Sequence, residues 1–188
     1  SEGALTQWVP SITASALTER NGDFVVAGSH RERFVIRGVH AVELVAGGGY
    51  RREIGDDGAA DVPEWWVGAN YAGQVGSALV VEPEVSAGQT MDFSTLRPAN
   101  HFGAELNTTL RLSGLRTDLL LRHNQFIPQA DSPDTSQWQM DNLVRLKVHW
   151  QFTRTLGVRI IESFSAVSEQ DPVLTTSLLA TWQLHPFT

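Results

Sequence analysis

The feature that most constrains this chain is strict two-residue alternation, clearest from Leu143 to Phe152. There Val144, Leu146, Val148, Trp150 and Phe152 fall on one side, and Arg145, Lys147, His149 and Gln151 on the other. Successive side chains of a strand point to opposite faces of a sheet, so this run predicts a strand with one apolar and one polar face. After a short turn at Thr153-Arg154-Thr155, Leu156, Val158, Ile160, Phe164 and Ala166 share a face opposite Gly157, Arg159, Ser163 and Ser165. Glu162 breaks the apolar face of that run and Ile161 the polar one. A third run follows Glu169-Gln170-Asp171-Pro172, with Thr176, Leu178, Ala180, Trp182 and Leu184 on one side. Three such strands joined by short connections predict a meander.

The same grammar extends upstream. Phe102, Ala104, Leu106, Thr108, Leu110 and Leu112 oppose Gly103, Glu105, Asn107, Thr109 and Arg111. The phase slips at Ser113-Gly114 before Leu115, Thr117, Leu119 and Leu121 resume it, which is either a bulge in one long strand or a tight hairpin. Leu79, Val81, Val85 and Ala87 form another apolar face, preceded by Trp65, Val67, Ala69 and Tyr71, and further strands are expected near 5–17, 23–37 and 39–52. Turn chemistry at Asn21-Gly22-Asp23, Gly55-Asp56-Asp57-Gly58, Arg97-Pro98-Ala99-Asn100 and Pro128 to Asp134 separates the runs, for a total of about eight to ten strands. No segment has helical periodicity.

Composition removes several classes. With 188 residues, 41% hydrophobic and 19% charged, the chain is expected to be one folded unit, 1–188. No apolar run approaches the roughly 20 residues of a membrane-spanning helix. The net charge of −7 and scattered Arg residues argue against a nucleic-acid partner, and the absence of Cys excludes disulfides, thiolate metal sites and a Cys nucleophile.

A soluble sandwich or small barrel also alternates, so other features must separate it from a membrane barrel. The polar face here is rich in Ser, Thr, Asn, Gln, Gly and Arg, which suits a wet or hydrogen-bonded lumen. Trp150 and Phe152 stand before a tight turn, and Trp182 and Phe187 end the last strand, as an interfacial girdle would place them. The expectation is an all-β, antiparallel up-and-down transmembrane β-barrel, or a partial barrel sheet, in the bacterial outer membrane. Its partners would be the lipid bilayer and either other membrane-complex subunits or missing strands of the same protein. Val144, Leu146, Val148, Trp150, Phe152 and Trp182 are the expected lipid-facing or girdle residues. Glu105, Arg111, Arg145, Lys147, His149 and Arg159 are expected to line the lumen, where mixed charges either plug a barrel or set the selectivity of a pore.

The segment from Leu96 to Thr188 resembles the C-terminal barrel of a bacterial family of otherwise unknown function, in which a carbohydrate-binding-family-9-like sandwich precedes an outer-membrane barrel. The likeness rests on Leu96-Arg97-Pro98-Ala99-Asn100 before a strand, on Asp141-Asn142-Leu143-Val144-Arg145-Leu146 leading into Trp150-Gln151-Phe152-Thr153-Arg154, and on Leu178 to Phe187. It covers about half of the chain and implies a lipid-embedded sheet. The carbohydrate-binding module and a final strand with a terminal aromatic have no counterpart here, so a fragment of a larger barrel protein is expected.

Catalysis and metal binding have weak footing. His123-Asn124 with Glu105, and His149 with Asp141, are the only starting points for a rim-active hydrolase, and no Gly-x-Ser-x-Gly motif occurs. The six His residues show no ligand spacing, and Asp56, Asp57 and Asp61 with Glu64 lack a calcium-loop pattern. Neither an enzyme activity nor a cofactor nor a metal is expected. Two alternatives stay open: a soluble β-barrel holding a small apolar ligand, and an outer-membrane hydrolase using His123 or His149.

Overall fold

The computed structural model describes residues 5–18, 24–36, 40–55, 58–92, 97–128, 139–153, 155–168 and 170–182. They form ten strands: β1 (Leu5–Thr18), β2 (Phe24–Ile36), β3 (His40–Gly55), β4 (Gly58–Val75), β5 (Leu79–Asp92), β6 (Arg97–Leu112), β7 (Leu115–Pro128), β8 (Gln139–Gln151), β9 (Leu156–Val167) and β10 (Val173–Trp182). All belong to one sheet in sequence order, each antiparallel to the next, with no helix among the described residues. The expected all-β up-and-down architecture and strand count are therefore present. The sheet is open, since β1 pairs only with β2 and β10 only with β9 among the described residues.

Directly opposite residues of an antiparallel pair share a face, so the register sorts every strand into two sides. One row on the apolar side crosses all ten strands: Trp8, Phe34, Val42, Tyr71, Pro83, Leu106, Leu121, Val144, Phe164 and Leu174. No member carries a charge. Trp8 lies near the start of β1, and Leu174 near the start of β10, which runs the opposite way. The row thus climbs from one end of the sheet to the other, the stagger of strands tilted across a curved sheet. β4 and β6 bring Cα atoms within 8 Å of each other although β5 lies between them. Second neighbours in a flat sheet would be about 9.5 Å apart, so the sheet bends sharply there.

Proline and glycine account for the irregular points. The β4–β5 ladder has a gap between the Asn70–Glu84 and Gly73–Val81 partners, where Pro83 has no N–H to give. It stops for good after Trp65–Gln89, two residues short of Pro63. The phase slip at Ser113-Gly114 is a hairpin, with Leu112 opposite Leu115 and Gly114 in the left-handed region at φ 72°. The turn expected at Arg97-Pro98-Ala99-Asn100 is not one: these residues open β6 and pair with β5 from Asp92 to Gln89. Pro98 is tolerated because it lies past the last β6–β7 partners, Ala99–Pro128, where the strand has a neighbour on one side only. Phe152, expected at the end of a strand, instead lies in the bend after β8. The connection between β5 and β6 falls at 93–96, outside the described residues, as do Asn21-Gly22-Asp23, Asp56-Asp57, the stretch from 129 to 138, and Leu184 and Phe187.

There is no conventional core. Val62, Met91 and Ala99 are the only buried hydrophobic side chains among the described residues, and all three lie beyond the Trp65–Gln89 pair.

The two left-handed glycines differ in surroundings. A β-carbon on Gly114 would sit 2.8 Å from the Gln151 carbonyl oxygen, whereas one on Gly76, at φ 62°, would meet nothing within 4 Å. Asn accepts left-handed backbone more readily than other residues, so Gly76→Asn should cost little. Gly114→Asn should lose about 1 kcal/mol or more relative to Gly76→Asn, read from the midpoints of equilibrium urea unfolding.

Candidate functional site

The chemistry of the sheet is segregated by face. Opposite the apolar row, the other side carries Arg31 and Arg33 on β2, Glu43, Arg51 and Glu53 on β3, Glu64 on β4, and Glu82 and Glu84 on β5. It continues with Glu105 and Arg111 on β6, Arg116, Asp118 and Arg122 on β7, Asp141, Arg145, Lys147 and His149 on β8, and Arg159 on β9. Glu105, Arg111, Arg145, Lys147, His149 and Arg159, singled out from the alternation, all stand on this one face. Val144, Leu146, Val148, Trp150 and Trp182 stand together on the other, and the Phe152 ring stacks on Trp150 at 4.5 Å between centroids.

Several charges on the polar side are paired, some across strands and some with a neighbour two residues along the same strand. Arg122 Nε donates to Glu105 Oε2 at 2.6 Å, and Arg31 lies 3.3 Å from Glu43, which also accepts from Asn70 Nδ2 at 3.0 Å. Asp118 accepts from Arg116 Nε at 2.9 Å and from Thr109 Oγ1 at 2.8 Å, with Lys147 Nζ 3.9 Å away. Asp118, Arg116, Glu43 and Glu64 were not among the residues expected to act here. The β7 phase after Gly114 was the signal for the first two, because Leu115, Thr117 and Leu119 leave Arg116 and Asp118 opposite.

The densest cluster surrounds Glu64, whose side chain is only 8% exposed. Its Oε1 accepts from Arg51 Nε at 3.0 Å, from Thr90 Oγ1 at 2.8 Å and from the Met91 N–H at 3.4 Å. Gln89 Nε2 donates to the Pro63 carbonyl at 2.9 Å. Side chains therefore bridge β4 and β5 where Pro63 ends the backbone ladder. A cavity of about 360 Å³ opens at this junction, lined by Glu64, Trp66, Thr90, His101 and Phe126 on the polar side. The Trp66 ring lies over Gly47, where a β-carbon would collide with it.

The candidate hydrolase groups are not assembled. His123 stands on the apolar face, its Nδ1 2.7 Å from Asn142 Oδ1, while Asn124 and Glu105 stand on the polar face. His149 and Asp141 share the polar face of β8 but lie eight residues apart, roughly 26 Å along a strand. Asp61 pairs with Arg52 on the apolar side of the β3–β4 hairpin, away from Glu64, and no cluster of metal-ligating residues occurs among the described residues.

The charged face also contains strain. Glu84 stands directly opposite Glu105, and Arg111 directly opposite Arg116. Like charges at such positions destabilise a sheet unless another group intervenes. Removing the carboxylate at the β4–β5 junction leaves the Thr90 and Met91 donors without their acceptor. Glu64→Ala should therefore lower stability by about 1–3 kcal/mol in urea unfolding, against less than about 0.5 kcal/mol for exposed Glu82→Ala on the same face.

Comparison with known proteins finds no matching family model, no similar curated protein and no similar solved structure.

Proposed function

We propose that this chain forms part of the wall of an outer-membrane β-barrel, with its apolar face toward lipid and its charged face toward a water-filled or ion-paired lumen, in a structural or solute-transport role. The observation that carries this reading is the placement of apolar surface. Among the described residues thirty large hydrophobic side chains are exposed, and twenty-four of them stand on the apolar face. Five more, Val9, Leu17, Val167, Val173 and Leu179, stand on the other face of the two outermost strands or of β9. A continuous apolar surface of this extent on one side of a sheet calls for a partner phase, and lipid supplies one along its whole length.

Curvature supports the same orientation. Side chains converge on the concave side of a bent sheet and splay on the convex side. On β4, Val62, Glu64, Trp66 and Asn70 of the polar face are buried or half-buried, whereas Pro63, Trp65 and Val67 of the apolar face are exposed. Gly47, Gly68, Gly88, Gly103 and Gly157 all fall on the polar side, leaving room for large neighbours. A soluble barrel with an apolar interior would crowd the opposite set.

Aromatic placement agrees. On β4, Trp65 and Tyr71 flank Val67 and Ala69; on β2, Phe24 and Phe34 stand near opposite ends. Trp8, Trp150 and Trp182 cap the end of the sheet that carries the connections 37–39, 76–78, 113–114 and 152–155. Connections at the other end include 129–138, an asymmetry typical of short periplasmic turns and longer outer loops. On this reading β1 and β10 need partners in the membrane, either each other or strands from elsewhere, because unpaired backbone groups are costly in lipid.

The test is detergent dependence with a paired substitution. The purified chain should stay monodisperse only in detergent, and Val148→Arg should cost roughly 2–4 kcal/mol of folding stability in phospholipid vesicles while Ser165→Arg, opposite Leu143 and Val173 on the polar face, is tolerated. Monodisperse behaviour without detergent, with Val148→Arg no worse than Ser165→Arg, would overturn the reading.

A further inference from the structure

Four basic residues stand directly opposite one another on adjacent strands of the polar face: Arg111 on β6, Arg116 on β7, His149 on β8 and Arg159 on β9. Cross-strand neighbours at this spacing have β-carbons about 5 Å apart, so the three guanidinium groups and the imidazole form one rung at the end of the sheet nearest the 113–114 and 152–155 connections. Such a row is unfavourable unless counter-charge is supplied. Asp118 supplies one carboxylate, and it is engaged by the Arg116 Nε edge at 2.9 and 3.2 Å and by Thr109. Among the described residues, Arg111, His149 and Arg159 have no side-chain hydrogen bond or ion pair, and the Arg159 Nε is buried without a partner.

The rung also borders open space. An open pocket of about 290 Å³ at the hairpin end lies against Arg111, Arg116 and His149, with Leu112, Gly114 and Leu115 of the turn along its rim. Gly157 keeps the β9 side clear, since a β-carbon there would stand 3.3 Å from His149 Nε2. We infer that this rung is a binding site for a phosphate group, held by Arg111, Arg116 and His149 with Arg159 behind them. Donors converging from separate strands match the three-dimensional set of oxygens on a tetrahedral oxyanion, whereas a planar carboxylate is satisfied by one Arg fork. The pocket is open to solvent, so the ligand class is a phosphate group, free or carried by a monoester. This assignment rests on the polar face being the water-facing one.

Calorimetric titration of the detergent-solubilised chain with inorganic phosphate and with glycerol 3-phosphate tests it, glycerol serving as the uncharged control. Saturable binding of both phosphates is expected, weakened at least fivefold by Arg111→Gln and by His149→Gln. Arg33→Gln, which removes the same charge elsewhere on the face, should leave it unchanged. Arg111→Lys keeps the charge and should weaken binding less than Arg111→Gln, and far-ultraviolet circular dichroism of each variant separates loss of the site from loss of the fold. No saturable binding, or equal weakening by Arg33→Gln, overturns the site. Vesicles of phosphatidylcholine with and without phosphatidylglycerol identify the source: affinity tracking phosphatidylglycerol and lost in Arg111→Gln assigns the phosphate to a lipid headgroup, and indifference to it assigns a solute. A chain monodisperse without detergent that still binds phosphate through Arg111 sinks the membrane reading and keeps the site; a detergent-dependent chain that binds none does the reverse.

Discussion

Everything in this structure hangs on the backbone ladder between neighbouring strands. Among the described residues the only buried hydrophobic side chains are Val62, Met91 and Ala99, and no second layer covers the sheet, so ordinary core packing does not hold it together. What keeps ten strands in one register is the exchange of N–H and C=O groups from β1 through β10, and register in turn decides which side of the sheet each residue occupies. A slip of one residue in any strand would turn its charges toward the apolar side. Where the β4–β5 ladder ends near Pro63, side chains take over, with Glu64 gathering Arg51, Thr90 and the Met91 N–H.

The two faces solve different problems. On the apolar side, sparse polar groups find local partners: Glu162 accepts from Thr176 directly opposite, Trp8 donates to Glu32, and His40 bonds Tyr71 at 2.6 Å. Such pairing lowers the cost of polar atoms on a surface otherwise made of aliphatic and aromatic carbon. On the polar side the charges are numerous enough to form rows, some complementary, as at Arg122–Glu105, and some repulsive, as at Arg111–Arg116. A fold held by its backbone ladder tolerates the repulsive rows, and an external ion can relieve them.

A closed barrel would remove both edges of this sheet, and β10 shows why closure or added strands matter. Every one of its residues from Val173 to Trp182 is exposed, including Leu174, Leu178 and Trp182, since only β9 lies beside it. An exposed, apolar edge strand pairs readily with any other available strand. The stagger of the apolar row across the sheet provides the tilt that a closed barrel of such strands requires.

The sequence by itself determined the strands and their faces. The run from Leu143 to Gln151 and the phase of Glu105 and Arg111 were readable because a strand repeats every two residues whatever surrounds it. It misplaced the turn at Arg97-Pro98-Ala99-Asn100, because proline reads as a turn signal locally and only the neighbouring strands show that its missing N–H is harmless there. Alternation also separates His123, in phase with Leu115, Thr117, Leu119 and Leu121, from Glu105 on the polar side, and the register keeps them on opposite faces. Only the tertiary structure decided which charges meet. The register aligns Arg111, Arg116, His149 and Arg159, spread over 49 positions of the chain, in a single rung. Alternation fixes the side on which a residue stands, but its height along the sheet depends on the length of every hairpin before it, and that is a property of paired strands and not of any one of them.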